Sequence, residues 1–402
     1  MSFASSRLCV RALENLCIPS RNLFVRKKSA VTLSRIKIGR SPAADCLGSY
    51  LKKNEACRTL STQHPGPGSV SVPQYETVDP YALTEDDLKI VNHNIRQELL
   101  MNTNSEELQR ISTYYFDGQG KSIRPMIVLL MARALNYHMN GKSGLSPSQI
   151  SMAMVSEMIH TASLVHDDVI DSSDFRRGKP SINAIWSQKK VAMAGDFIIA
   201  VVSKILANMK NCDVTSTIAQ ALSDLVQGEF MQLGAKETEN ERFAHYLTKT
   251  YRKTASLMAN SLKSSALLAG ADDQLCDVAF QYGRNIGLAF QLVDDLLDFI
   301  SSSDTMGKPT ATDLKLGLAT APVLFACEKY PVLNPMIMRR FQEPGDVEKA
   351  FELVHKSQGL EQTRFLAKKH CDEAIRLANT IAESPYQKAL IVVSDFVITR
   401  MK

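Results

Sequence analysis

The chain has 402 residues, 45% hydrophobic and 22% charged, with 19 Gly and 15 Pro, a globular profile that excludes collagen-like, disordered and small disulfide-stapled classes. The net charge of +5 is unevenly spread: residues 1–60 hold 12 Lys/Arg against Glu14, Asp45 and Glu55, while the remainder has 35 basic and 39 acidic residues. A mildly acidic body argues against nucleic acid as a partner, since that would require a basic patch on the folded domain.

The head contains Arg7, Arg11, Arg21, Arg26 and Arg35 with scattered Ser, almost no acid and no secretory-type apolar stretch. That composition predicts a mitochondrial transit peptide over residues 1–60 and a mature chain in the matrix. Cys9, Cys17, Cys46 and Cys57 lie within it; Cys212, Cys276, Cys327 and Cys371 are too far apart for a zinc pair and are expected as thiols. No run of about 18 uncharged apolar residues occurs, so no membrane span is expected. Residues 61–74, rich in Pro, Gly and Ser, predict a linker.

From residue 75 to 402 apolar residues recur at helical spacing and strand-like alternation is scarce. The expectation is a single all-α domain of roughly ten or more helices. Thr103 with Glu106 predicts a capping box. Ser146-Pro147-Ser148-Gln149 predicts a stronger one, with Pro at the first helical position.

Ahead of that second box, Gly120-Lys121-Ser122-Ile123-Arg124-Pro125 sets a Gly before two cations. The helix opened by Ser146 leads to His166-Asp167-Asp168-Val169-Ile170-Asp171, where Asp167 and Asp171 lie one turn apart and Asp168 is adjacent. Like charges at this spacing destabilise a helix by a few tenths of a kcal/mol per pair, so they need solvation or a cation. Oxygen-only ligands suit Mg²⁺, which keeps several waters and is usually shared with substrate phosphates. His160, seven residues before Asp167, shares its face and is assigned as a phosphate donor. Arg176-Arg177-Gly178 follows closely, and Lys253-Thr254 supplies another short cationic site.

A second row, Gln291, Asp294, Asp295 and Asp298, occupies i, i+3, i+4 and i+7 on an otherwise apolar helix. An ordinary solvent face mixes in Lys or Arg, and this one has none between Arg284 and Lys308. Two Asp-Asp-x-x-Asp motifs 127 residues apart are hard to attribute to coincidence. Facing each other, six carboxylates could hold Mg²⁺ on a diphosphate from both sides. The cations match the roughly six negative charges of two diphosphates, and Gly307-Lys308-Pro309 completes that set.

In order and spacing these motifs resemble the trans-prenyltransferase (polyprenyl diphosphate synthase) family over about residues 85 to 400, most nearly its mitochondrial decaprenyl and solanesyl branch. The resemblance rests on Gly120-Lys121-x-x-Arg124-Pro125, Ile159-His160-Thr161, Asp167-Asp168-x-x-Asp171, Arg176-Arg177-Gly178, Lys253-Thr254, Gly287-x-x-Phe290-Gln291-x-x-Asp294-Asp295-x-x-Asp298, Gly307-Lys308-Pro309 and Asp313-Leu314. It implies one large helical bundle around a central cavity. The implied activity condenses an allylic diphosphate with successive isopentenyl diphosphates, here for the ubiquinone side chain. By this likeness Asp167, Asp168, Asp171, Asp294, Asp295 and Asp298 are the catalytic Mg²⁺ ligands. Gly120, Lys121, Arg124, His160 and Arg177 would hold isopentenyl diphosphate, and Arg176, Lys253, Thr254, Gln291 and Lys308 the allylic diphosphate. A homodimer, or a hetero-oligomer with a second synthase subunit, is also implied.

Two departures stand out: the family's Gly-Gly-Lys reads Gln119-Gly120-Lys121, and its Gly-Lys after Asp313-Leu314 reads Gly317-Leu318, which removes one cation. A slower enzyme or a compensating partner subunit would follow. A non-catalytic partner subunit is the competing expectation, opposed by two intact motifs. A class I terpene cyclase is another, opposed by the duplicated row. The tail should run past the residues one turn before Asp167, where short-chain members carry an aromatic plug. Here those are Ala162 and Ser163, with Ser156 further back; small side chains leave the tunnel open for a product of about forty to fifty carbons, because only bulk fills interior space. Ala162→Phe or Ser163→Phe is therefore expected to shorten the product, and an unchanged length on chromatography would discredit the tunnel.

Overall fold

A computed structural model describes residues 78–118, 120–234, 242–300 and 311–399. The expected transit peptide, the linker and Lys308 lie outside the described residues. In chain order the helices are α1 (Pro80–Met101), α2 (Glu106–Thr113), α3 (Ile123–Asn140), α4 (Pro147–Ile170), α5 (Ile182–Ile185), α6 (Gln188–Asn208), α7 (Cys212–Gly234) and α8 (Arg242–Thr250). A π-helical turn, Tyr251–Ala255, leads into α9 (Ser256–Ala269) and α10 (Asp273–Ile300). Then come α11 (Thr312–Lys315), α12 (Ala321–Lys329), α13 (Leu333–Met338), α14 (Asp346–Lys356), α15 (Gly359–Ala378) and α16 (Pro385–Thr399). Among the described residues the sole sheet is a hairpin, β1 (Phe175–Arg176) against β2 (Lys179–Pro180), and the all-α expectation is met.

The centre is set by helices that are apolar all round. In α3 every residue from Pro125 to Ala132 is buried, as expected of a helix surrounded by others rather than lying on a surface. It is wrapped by α1, α4, α9 and α16, and α10 packs along α9 and α15. One close approach is needed to position the site. A Cβ on Gly287 of α10 would lie 2.5 Å from the Ala255 Cα, so only glycine lets α10 meet the π turn that carries Lys253 and Thr254.

Helix α6 is long and apolar enough to cross a membrane by length and composition, although Asp196 and Lys204 interrupt it. Packing accounts for the composition. One face buries Val191, Ala194, Ile198, Val201, Val202 and Ile205, largely against α4, and another faces a cavity described below.

Local signals were realised unevenly. The Ser146 box forms as expected: Gln149 N–H donates to Ser146 Oγ at 3.2 Å, and Ser146 N–H donates to Gln149 Oε1 at 2.9 Å. The Thr103 box does not form. Ser105 is the N-cap of α2 and accepts from Leu108 N–H, while the Thr103 hydroxyl oxygen accepts from Ser105 N–H at 3.2 Å. Two acceptors compete within three residues, and the one nearer the helix wins. Ser146→Ala is expected to destabilise the protein by about 1 kcal/mol and to lower Tm by roughly 1–2 °C, as calorimetry would show.

Candidate active site

Helices α4 and α10 bring the two acidic rows to one cavity of about 1190 Å³. Asp167 and Asp294 line it, one from each row. The other four acids are placed differently. Asp168 is fully buried: Tyr115 donates its phenol hydrogen to Oδ2, and Arg176 Nε donates to Oδ1 at 2.5 Å. Asp295 is buried likewise, with Tyr246 on Oδ2 and Gln291 Nε2 on Oδ1 at 2.9 Å. Asp171 is the exposed C-cap of α4. Asp298 accepts backbone N–H groups from Thr312 and Asp313 at 2.9 and 3.0 Å, anchoring α11.

Burial without full compensation marks these acids. Burial, together with Glu229 and Asp171, raises the Asp167 carboxyl to about 6, with Lys253 and Arg176 pulling the other way. Asp313 joins the second row and is pushed to about 7 by burial and by Asp295, Asp298 and Asp294. Such carboxylates are hard oxygen donors short of positive charge, which fits a divalent cation such as Mg²⁺. Among the described residues no three His, Cys, Asp or Glu side chains come close enough to hold an ion alone. The donor set therefore suits a metal that takes one or two carboxylates and completes its shell with water and substrate phosphate.

Cations converge on the same cavity. Lys121, Arg124, Arg176, Arg177 and Lys253 line it, with Thr254 and Gln291 beside them. Arg176 and Arg177 arrive on the β1–β2 hairpin rather than on a continuation of α4. The register, Arg176 opposite Lys179, leaves Arg177-Gly178 as a two-residue turn with both φ positive. Gly120 makes room there, because a Cβ at that position would lie 2.9 Å from Arg177 Nη1. Lys253 Nζ pairs with Glu229 at 2.7 Å, and Thr254 donates to Gln291 Oε1 at 2.9 Å. The Arg124 Nε–H is buried with no acceptor, an unmet donor of the kind a phosphate oxygen satisfies. His160 also lines the cavity. Burial and then Arg124, Arg177 and Arg176 hold its imidazole well below its ordinary range, so it is neutral and has one N–H to donate.

Apolar or small residues make up much of the rest of the wall, with Ile159, Ala162, Ser163, Ile199, Leu222 and Leu225 facing the cavity, and His166, Asp196 and Ser203 line it as well. Ala162 and Ser163 stand where the sequence put them. Ser156 is a correction. It is fully buried and receives a hydrogen bond from Ser261 at 3.1 Å, so its side chain meets α9 and does not line the cavity, although Glu157 beside it does. The sequence reading also missed Glu157, which lines the cavity beside the electrostatic reach of Arg124 and Arg177. It missed Lys249, which acts on Asp295 and Asp313, and the phenols of Tyr115 and Tyr246. Glu157 alone carried a signal, one turn before His160.

An all-helical bundle with acids and cations gathered at one side of a large cavity that has a substantial apolar wall fits a charged head group joined to a hydrocarbon tail. The polyprenyl synthetase profile matches residues 105–354. The human all trans-polyprenyl-diphosphate synthase PDSS1 is 53% identical over 346 residues, 86% of this chain and 83% of that one. The decaprenyl-diphosphate synthase subunit 1 of Schizosaccharomyces pombe is 41% identical, covering 80% and 91% respectively. A polyprenyl synthase from Caulobacter crescentus, solved with calcium and isoprenyl diphosphate, superposes with a TM-score of 0.71 at 30% identity over 80% of this chain and 97% of that one. The chain belongs to the polyprenyl synthetase family, as its motifs led one to expect.

Asp313 offers a test of the stored repulsion. An unfolded carboxyl loses its proton near 3.8 and the folded one near 7. As pH rises between these values the unfolded chain is the first to ionise, so unfolding gains; above 7 the penalty is constant, at most about 4 kcal/mol. Asp313→Asn is expected to raise the Tm of the metal-free protein at about pH 8 and to do so progressively less as pH falls toward 5, as measured by thermal melts.

Proposed function

We propose that this chain is an Mg²⁺-dependent trans-polyprenyl diphosphate synthase. It condenses an allylic diphosphate with successive isopentenyl diphosphates into an all-trans product of about forty to fifty carbons, the precursor of the ubiquinone side chain. The observation that carries this is the meeting of Asp167 and Asp294, 127 residues apart, at one cavity that also takes in five cations and an apolar stretch of Ile159, Ile199, Leu222 and Leu225. Its volume of about 1190 Å³ exceeds the roughly 300–1,000 Å³ typical of small-ligand pockets, which supports a long hydrocarbon product. The Arg-rich, acid-poor residues 1–60 support the mitochondrial matrix as its place. Leu318, standing where the family has Lys, supports work as a dimer or with a second synthase subunit.

From the two rows, Asp167 and Asp171 with Asp294 and Asp298 would hold Mg²⁺ at the allylic diphosphate, while the buried Asp168 and Asp295 brace them from behind. When bound, the metal withdraws charge from the diphosphate oxygens so that the allylic C–O bond can break. Arg176, Lys253 and Lys308 would add positive charge to the same leaving group, with Thr254 and Gln291 orienting it. Gly120, Lys121, Arg124, Arg177 and neutral His160 would fix isopentenyl diphosphate so that its double bond faces the ionising carbon. The apolar wall keeps water from that carbon, and Ala162 and Ser163 leave the growing tail a path.

The deciding assay gives the mature protein labelled isopentenyl diphosphate, farnesyl diphosphate and Mg²⁺, with and without a candidate second subunit. Long polyprenyl product is expected, and Asp167→Ala and Asp294→Ala should each reduce turnover at least about 100-fold, or about 3 kcal/mol. Turnover that survives either substitution removes the metal assignment. Cyclic product would favour a terpene cyclase, and activity seen only with the partner's own motifs would favour a non-catalytic subunit.

A further inference from the structure

The middle aspartates of the two rows occupy equivalent, closed environments. Asp168 and Asp295 have 0% and 2% of their surface exposed, and neither lines the cavity. Each has one oxygen taken by a phenol, Tyr115 or Tyr246, and the other by a side chain assigned to diphosphate binding, Arg176 or Gln291; Asp295 also accepts the Ala321 backbone N–H. The phenols are themselves held. Tyr115 accepts Ile182 N–H at 2.9 Å, Tyr246 accepts the Thr250 hydroxyl, and both rings are nearly fully buried. The two tyrosines come from different parts of the chain, 53 and 49 residues from their aspartates, yet complete the same arrangement twice.

We propose that Tyr115 and Tyr246 are positioning residues for the metal-binding rows. Each phenol anchors a middle aspartate, which serves as a strut and not as a ligand, and so fixes the outer aspartate beside it at the cavity. Asp167 and Asp168 sit in the last turn of α4, and Ser173 N–H bonds the Asp168 carbonyl at 3.2 Å. Without an anchor a helix end frays, with local opening costing little free energy. Metal-binding constellations must be held to within about 0.5 Å, and loss of a supporting hydrogen bond behind a ligand commonly weakens metal affinity about 10–100-fold. The same strut orients Arg176 in one row and Gln291 in the other, so metal and diphosphate are positioned together.

This inference rests on the proposed function, and the experiment separates the two. Full-length Tyr115→Phe and Tyr246→Phe, with Tyr114→Phe as control because its phenol bonds the Pro180 carbonyl instead, are titrated with Mn²⁺ in the presence of inorganic pyrophosphate and followed by electron paramagnetic resonance. Half-saturating Mg²⁺ for condensation is measured in parallel. Both Phe variants should bind Mn²⁺–pyrophosphate about 10-fold more weakly or worse, and need correspondingly more Mg²⁺. The control should match wild type, and Tyr115→Phe should add nothing further in an Asp168→Asn background. Wild-type affinity in both Phe variants, even with a lowered Tm, overturns the inference, as does a loss of turnover equal at every Mg²⁺ concentration. Failure of both variants to fold also overturns it, because the phenols would then serve folding. Absence of Mn²⁺–pyrophosphate binding in wild type would instead remove the proposed function itself.

Discussion

Carboxylates held partly buried around one cavity, where loss of hydration outweighs the help of the cations nearby, are the constraint on which this architecture turns. Water would screen such carboxylates, but burial removes that screening and raises Asp167 and Asp313 toward neutral pH. A fold tolerates this only if the carboxylates cannot relax apart. Two measures provide that: rigid apolar helices carry the rows, and polar partners consume the oxygens that do not face the cavity. Asp298, whose oxygens accept the first N–H groups of α11, and the phenol-bonded Asp168 and Asp295 are stabilised locally, and Asp167 and Asp294 are left to face the cavity.

The cations are prepared in a parallel way. Arg176 is bonded to Asp168 and Lys253 to Glu229, so in the absence of ligand they sit in protein ion pairs instead of repelling one another. Binding a diphosphate must offer these cations a better partner than the carboxylates they hold. A bare diphosphate would meet the acidic rows as well as the cations, whereas a metal-bound one satisfies both, so the charge layout favours head group and metal together. The neutral state of His160 belongs to the same logic: three nearby arginines make a second proton on its imidazole unfavourable, and the single N–H can point to an acceptor without adding to their repulsion.

How far the site could be read from the chain follows the range of the interactions. Spacing i, i+3, i+4 and i+7 fixes which acids share a helix face, so both rows were visible, and the Ser146 box was visible because every atom in it lies within four residues. Even local signals fail where two compete, as Ser105 displaced Thr103. Contacts across tens of residues leave no pattern: nothing near Asp168 or Asp295 in the sequence announces Tyr115 or Tyr246, and Lys249 reads as an ordinary charge on an amphipathic helix. The π turn around Lys253 was equally hidden, and so was the close approach of α10 to it at Gly287.

Ser156 shows where a correct principle met the wrong wall. Small residues on α4 do line the cavity at Ala162 and Ser163, but a helix turns by about 100° per residue, so stepping back six to seven residues does not guarantee the same surroundings once neighbouring helices cross at an angle. In this fold α9 crosses at that level, and Ser156 meets Ser261 in a polar contact inside the bundle. The cavity itself is lined by other residues of α4 together with α6 and α7. Asp196, Ile199, Ala200 and Ser203 recur at i, i+3, i+4 and i+7 along the cavity side of α6. The apolar length of α6 is accounted for by packing, with one face in the core and another along the cavity.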